Sequence, residues 1–344
     1  MVNTTFSAQN RLLWLDYARG MAFLMVLYSH LNYCNDNLMA FFHPVFLTMF
    51  FFVSGYLFKS DYSFGRLLEH KIRTLLIPFL IFVLLLLASA QVLTFNEHSS
   101  FSRDLLDSLL QIRGKNDQIW FVAALFVMNF PFYVLVKYAK STRALLLIAF
   151  VGFLLSVMYD SWLKLPALPW HIQFIGNGCF YMALGFAYRK HEQKLKSCEK
   201  RTAFFSVLSL YFAFVAIRKF ILHLPDISFD GSFYFIDALI ITLLGIFAMI
   251  YISKRLTNAK LILFVGANSL LYFCMHGKVY SLLQVITEKI FSKFAIAHSE
   301  TIDFLLGLGM TFLVAIILII PVILINRYLH FLIGKGYKLW NSGN

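Results

Sequence analysis

Apolar residues run along this chain in long blocks separated by short polar connectors. Ten such blocks fall near residues 12–33, 39–58, 74–95, 118–138, 143–159, 168–188, 202–222, 233–252, 261–285 and 303–327. A bilayer core takes about 20 residues of helix. The blocks are continuous rather than alternating, so the pattern predicts helices, not strands. The expectation is an all-α polytopic membrane protein, a bundle of about ten transmembrane helices. Two blocks are less regular: 168–188 carries His171 and several glycines, and 261–285 carries Asn268, Ser269 and His276. The longest connector, 96–118, contains an amphipathic stretch at Asp104–Ile112 that reads as a short helix. Pro78 and Pro131 stand inside apolar blocks and are expected to kink them. Ser54-Gly55 reads as a point of close helix packing. Residues 1–344 are expected to form a single integral-membrane domain, with residues 1–10 as a short cytoplasmic N-terminus.

Composition agrees with this picture: 60% of residues are hydrophobic and 14% charged, against about a quarter charged in soluble domains. Charge then orients the bundle. Roughly two thirds of the 30 Lys and Arg residues lie in every second connector, while Asp36, Asp117, Asp160, Asp226 and Asp303 gather in the others. Positive connectors stay in the cytoplasm, so both termini are expected there. The net charge of +13 does not imply nucleic acid, because no basic domain stands outside the apolar blocks. Cys34, Cys179, Cys198 and Cys274 are too scattered for a disulfide framework or a zinc site, and no metal is expected. The first block lacks a basic lead and a small-residue cleavage site, and is expected to be retained.

Candidate chemistry begins in that first block. Asp16, Arg19 and His30 are ionisable residues in a segment that should avoid them. At about 100° and 1.5 Å per residue, His30 returns to within about 20° of Arg19, roughly 16 Å further along the axis. Asp16 lies one turn before Arg19 and can pair with it. Arg19 taken alone also fits a residue snorkelling to the interface. Burial would hold His30 neutral, fit to take a proton from a hydroxyl. A cation so placed can hold phosphate while a flexible arm carries a thioester to the imidazole, which is the shape of coenzyme A. Lys71 and Arg73, near Arg66, read either as topology signals or as a phosphate clamp. Asp117 and Trp120 open the fourth block. Trp120 is either an interfacial anchor or a stacking face for a sugar ring. His276 follows Ser269 and Tyr272 on one face, as a structural histidine or as a site residue. His171, after Trp170, is expected at the interface.

These residues fall in segments that resemble the membrane acyltransferase-3 family. Leu15-Asp16-Tyr17-Ala18-Arg19-Gly20 followed by His30 is similar to its opening Arg-x10-His signature. Phe51-Phe52-Val53-Ser54-Gly55-Tyr56-Leu57-Phe58, Lys71-Ile72-Arg73 leading to Pro78, Trp120-Phe121 and Gly266-Ala267-Asn268-Ser269 through Tyr272 to His276 resemble its later motifs in order. The resemblance implies an O-acetyltransferase of the bacterial cytoplasmic (inner) membrane. It would move an acyl group, acetyl from acetyl-CoA, to a hydroxyl of a cell-surface or lipid-linked carbohydrate. In that reading His30 is the base and Asp16 holds Arg19. Arg19, Lys71 and Arg73 bind the donor, and Trp120, Asp117, Tyr272 and His276 face the acceptor. The partners are acyl-CoA, the carbohydrate and membrane lipid, with no oligomeric state assigned. A secondary transporter or glycan permease has the same composition, but many transporters carry an inverted repeat and none is visible here.

Overall fold

The structure is a computed structural model that describes residues 12–93, 101–112, 119–227, 236–294 and 299–334. All regular elements among the described residues are helical. They are α1 (Leu13–Ser29), α2 (Asp36–Phe42), α3 (Phe46–Tyr56), α4 (Phe64–Lys71), α5 (Ile77–Leu93), α6 (Phe101–Leu110), α7 (Trp120–Tyr138) and α8 (Thr142–Val157). The second half continues with α9 (Ile175–Leu195), α10 (Arg201–Ala216), α11 (Ile236–Arg255), α12 (Lys260–Ala267), α13 (Ser269–Phe294), α14 (Glu300–Ile317) and α15 (Ile319–Tyr328).

Each of the predicted apolar blocks is occupied by helix, and the chain is an all-α polytopic membrane protein. Seven helical stretches among the described residues are long and apolar enough to span, and α12 with α13 makes an eighth if that bent pair is one span. The expected count of about ten therefore becomes seven or eight candidates. The difference lies in α1 and α9. α1 has only 17 residues, and α9 ends in Arg189, Lys190, Glu192 and Lys194. α1 and the apolar first part of α9 are largely buried in the bundle, where protein replaces lipid as their surroundings. Residues 1–11 and 335–344 lie outside the described residues, and with them the expected placement of the two ends.

Helices without a hydrophobic drive between them pack through close backbone approach at small residues. Gly20 of α1 faces the Ile262 carbonyl of α12, and Gly266 of α12 faces the Asp16 carbonyl of α1. α3 and α9 repeat the device, with Gly55 on the Met182 carbonyl and Gly185 on the Phe52 carbonyl. The packing role expected for Ser54-Gly55 thus falls to the glycine, while the Ser54 hydroxyl donates to the Phe50 carbonyl. Ahead of Pro78 the helix widens into a π turn at Ile72–Leu76, and the Ile77 N–H donates to the Ile72 carbonyl. Proline cannot supply the usual N–H and its ring crowds the carbonyl four residues back, so the wider turn relieves both. The amphipathic stretch before α7 forms α6, starting slightly earlier than predicted.

The two ends of the bundle differ. At one, Trp14 meets Tyr56 at 5.1 Å and Tyr188 at 6.4 Å between ring centroids. Lys254 pairs with Glu192 at 2.6 Å and Glu199 at 2.7 Å. The basic connectors after α3, α9 and α11 therefore share one end, the end where α1 starts. At the other, Tyr33 donates to Glu288 at 2.7 Å and Tyr280 to Asn32 at 2.7 Å.

Candidate functional site

The first turn of α1 carries Asp16, 1% exposed, which accepts a hydrogen bond from the Arg19 guanidinium. The predicted pair is present, and its backbone is where α12 crosses. Beyond that crossing the chain breaks: α12 and α13 meet at 98°. Breaking a helix at membrane depth frees carbonyls that must be satisfied by protein. Asn268 does this, donating to the Phe264 carbonyl at 2.9 Å and accepting from Asn326 at 2.9 Å. That explains the polar residues in an otherwise apolar block. The break also redirects α13 so that it brings His276 to the far end of α1.

There His276 and His30 lie 5.0 Å apart between ring centroids. The burial expected of His30 is not found. His30, at the C-cap of α1, is exposed, whereas His276 is 4% exposed. The last turn of α1 ends at His30, so its ring reaches the rim of the bundle and not its interior. Hydrogen bonds set both tautomers. The Nδ1 of His276 lies 3.0 Å from the carbonyls of Tyr272 and Phe273. Carbonyls only accept, so Nδ1 carries the hydrogen. Ser29 donates its hydroxyl hydrogen to the Val26 carbonyl at 2.8 Å. Its oxygen, 3.1 Å from the His30 Nδ1, is left to accept from it. The Nε2 of His276 thus keeps a lone pair, buried without a hydrogen-bond partner among the described residues.

Aromatic rings wall this pair. Phe23 stands perpendicular to His276 at 5.6 Å, and Phe273 stacks on Phe121 at 4.9 Å. Phe121 adjoins Trp120 at 6.1 Å, which places Trp120 behind the same wall. Asp117 lies outside the described residues. Tyr272 is fully buried and donates its hydroxyl to the Ala315 carbonyl at 2.8 Å, tying α13 to α14 one turn before His276.

His171 departs from expectation. It is not interfacial but 0% exposed, packed on Trp120 at 4.9 Å. Trp170 and His171 both adopt left-handed backbone, with φ of 56° and 54°. That costs non-glycine residues about 1–3 kcal/mol each, so the surrounding packing must impose it. Sequence carried no signal beyond the glycines and prolines nearby.

Lys71 closes α4, and Arg73 lies in the π turn, where Gly334 approaches its carbonyl with φ of 70°. Because α1 and the α2–α3 pair run in opposite directions, α4 starts at the Arg19 end. Lys59 and Arg66 flank the Tyr62 ring there, at 5.2 Å and 4.5 Å, and Tyr62 contacts His70. The same end holds a polar cluster that sequence reasoning missed: Lys254, Glu192, Glu199, Tyr188 and Tyr56. Burial alone would raise the Glu199 carboxyl, but hydrogen bonds from Lys254 and Tyr188 bring it below the usual carboxylate range. Its members are more than a hundred residues apart at the extremes, so no spacing announces it.

The described site therefore has two parts at opposite ends of α1: a held guanidinium near a basic rim, and the neighbouring rings of His30 and His276, the latter from α13. A family model described as an acyltransferase domain matches residues 12–322. No curated protein and no solved structure matches the chain.

Proposed function

This chain belongs to the membrane acyltransferase-3 family, and from that premise we propose that it transfers an acetyl group from acetyl-CoA to a hydroxyl of a cell-surface or lipid-linked carbohydrate in the bacterial inner membrane. The observation that carries the reading is the helix α1 itself. It sets the Asp16-bound Arg19 near one end and His30 at the other, about 16 Å apart by helical rise. A phosphorylated nucleotide held at the basic end, by Arg19 with Lys71 and Arg73, can extend a thin arm toward the imidazoles. Guanidinium and ammonium groups suit phosphate, the first through paired N–H donors.

At the far end the His30 imidazole takes the proton of the acceptor hydroxyl as its oxygen attacks the thioester carbonyl. Exposure of His30 suits an acceptor arriving from the aqueous or headgroup side. Trp120 supplies the aromatic face for the sugar, and Asp117, outside the described residues, an acceptor for its hydroxyls. Tyr272 and His276 complete this end, with Tyr272 holding the helix that presents His276.

Mass spectrometry of surface glycan from cells with and without the gene tests the reading. Loss of one acetyl group per repeat unit is expected. Unchanged glycan, together with undiminished incorporation of labelled acetyl from acetyl-CoA, would overturn it.

A further inference from the structure

We propose that Asn32 and Tyr280 form the subsite that seats the acceptor beside His30, and that the sugar it seats is uncharged. The inference rests on the acyl-transfer reading above. It adds two residues that bind the acceptor and the class of sugar they select.

α13 meets the segment leaving α1 at three successive points. His276 lies 5.0 Å from His30 between ring centroids. One turn further along α13, the Tyr280 hydroxyl donates to Asn32 Oδ1 at 2.7 Å. Two turns beyond that, Glu288 accepts from Tyr33 at 2.7 Å. Four residues of helix advance about 6 Å, so the second contact stands within the scale of one sugar ring from the imidazoles. Asn32 is exposed and Tyr280 half-buried, at the same rim as His30.

The backbone around Asn32 is held on both sides. The Asn35 N–H donates to the Tyr28 hydroxyl at 2.8 Å, and the Asn35 side chain accepts from the N–H groups of Asn37 and Leu38 at the start of α2. Gly307 of α14 packs against the Tyr33 carbonyl. A polar group fixed in this way loses little freedom when a ligand arrives.

Both residues can still take a ligand. Tyr280 gives its hydrogen to Asn32, but its phenolic oxygen can accept. Asn32 Oδ1 is engaged, while its Nδ2 donates to no other group among the described residues. One donor beside one acceptor matches neighbouring hydroxyls of a sugar, the kind of small polar set that orients a ligand. Charge at this rim disfavours an acidic sugar. Glu288 and Asp303 both stand by Tyr33, and Asp36 opens α2. The lysines of α13, Lys278, Lys289 and Lys293, lie about 140–180° round the helix from Tyr280. A sugar carboxylate would meet like charge there and lack the cation that usually binds it.

The test uses the full chain in proteoliposomes, labelled acetyl-CoA, and glycan extracted from cells lacking the gene as the acceptor. Asn32→Asp keeps the oxygen that Tyr280 donates to but replaces the Nδ2 donor with a second carboxylate oxygen. Asn32→Ala loses both. Each variant should raise the KM for glycan by about tenfold, the scale of a lost hydrogen bond, with kcat and the KM for acetyl-CoA within about twofold. If Asn32 served only to hold Tyr280, Asn32→Asp would match wild type. An unchanged glycan KM in Asn32→Asp, whatever happens to kcat, therefore overturns the subsite. Fragmentation of the labelled product by mass spectrometry should place the acetyl group on an uncharged sugar, and its presence on a uronic or sialic acid residue overturns the class. Either result leaves the acyl-transfer reading standing. Absence of transfer to glycan by the unaltered protein overturns that reading and this one with it.

Discussion

Gly266 of α12 rests directly on the backbone carbonyl of Asp16, so that a Cβ on Gly266 would overlap that oxygen. Gly20 makes the reciprocal contact on Ile262. The helix that holds the Asp16–Arg19 pair is thus seated by two glycines. Gly266→Ala and Gly20→Ala should each destabilise the protein by about 1–3 kcal/mol, the range for overpacking a close interface. Thermal unfolding in detergent reads this, and an unchanged midpoint for both variants would refute the seating.

Asp16 holds Arg19, and Arg19 is proposed to hold phosphate. Arg19→Lys keeps the charge but loses the planar fork that binds an anion through two parallel bonds. Initial-rate kinetics should show KM for acetyl-CoA raised by roughly tenfold with a smaller change in kcat, the mark of lost ground-state binding. Asp16→Asn should move KM in the same direction. A change confined to kcat would take Arg19 away from the donor.

Tyr272 offers a contrast. Its hydroxyl already donates to the Ala315 carbonyl. Tyr272→Phe should lower stability by about 0.5–1.5 kcal/mol, as for one buried hydrogen bond. Transfer should remain within about threefold of wild type, far from the loss expected for removing an acid or base. A large fall in rate at unchanged stability would instead place the hydroxyl on the acceptor.

The cluster at the Trp14 end governs acid sensitivity. Burial raises Glu199, but Lys254 and Tyr188 hold it below its ordinary value. A carboxyl lowered in the folded state adds stability above its unfolded pKa and loses it as pH falls through the folded one. The unfolding midpoint should therefore hold from neutral pH down to about 4.3, the ordinary glutamate value, and drop below it. Lys254→Met should cost about 2–4 kcal/mol at neutral pH, because it strands two carboxylates. It should also flatten that acid limb, which unfolding scans at several pH values will show.

How much of this was legible in the chain follows from the range of the forces involved. Helix identity, the half-buried Asp16–Arg19 pair and the amphipathic α6 depend on residues a few positions apart, and a 3.6-residue period announces them. The glycines of α1, α3, α9 and α12 could be seen but not their partners. A backbone contact between Gly20 and Ile262 spans most of the chain, and nothing local encodes it. The same limit hid the Lys254–Glu192–Glu199 cluster and the burial of His171.

The sequence by itself determined that the chain is a bundle of apolar helices with charge concentrated in connectors and in one stripe on α1. Solvation decides that, one residue at a time, because every apolar block must leave water and every ion must be paired or wet. Only the tertiary structure decided which histidine is buried. A 98° break at Asn268 turns α13 along α1 and puts His276 inside the ring of phenylalanines, while α1 ends at the rim and leaves His30 in the open. Period and composition fix what a helix offers on its faces. Where two helices end relative to each other is set by packing across the whole bundle, and the pairing of His30 with His276 exists only there.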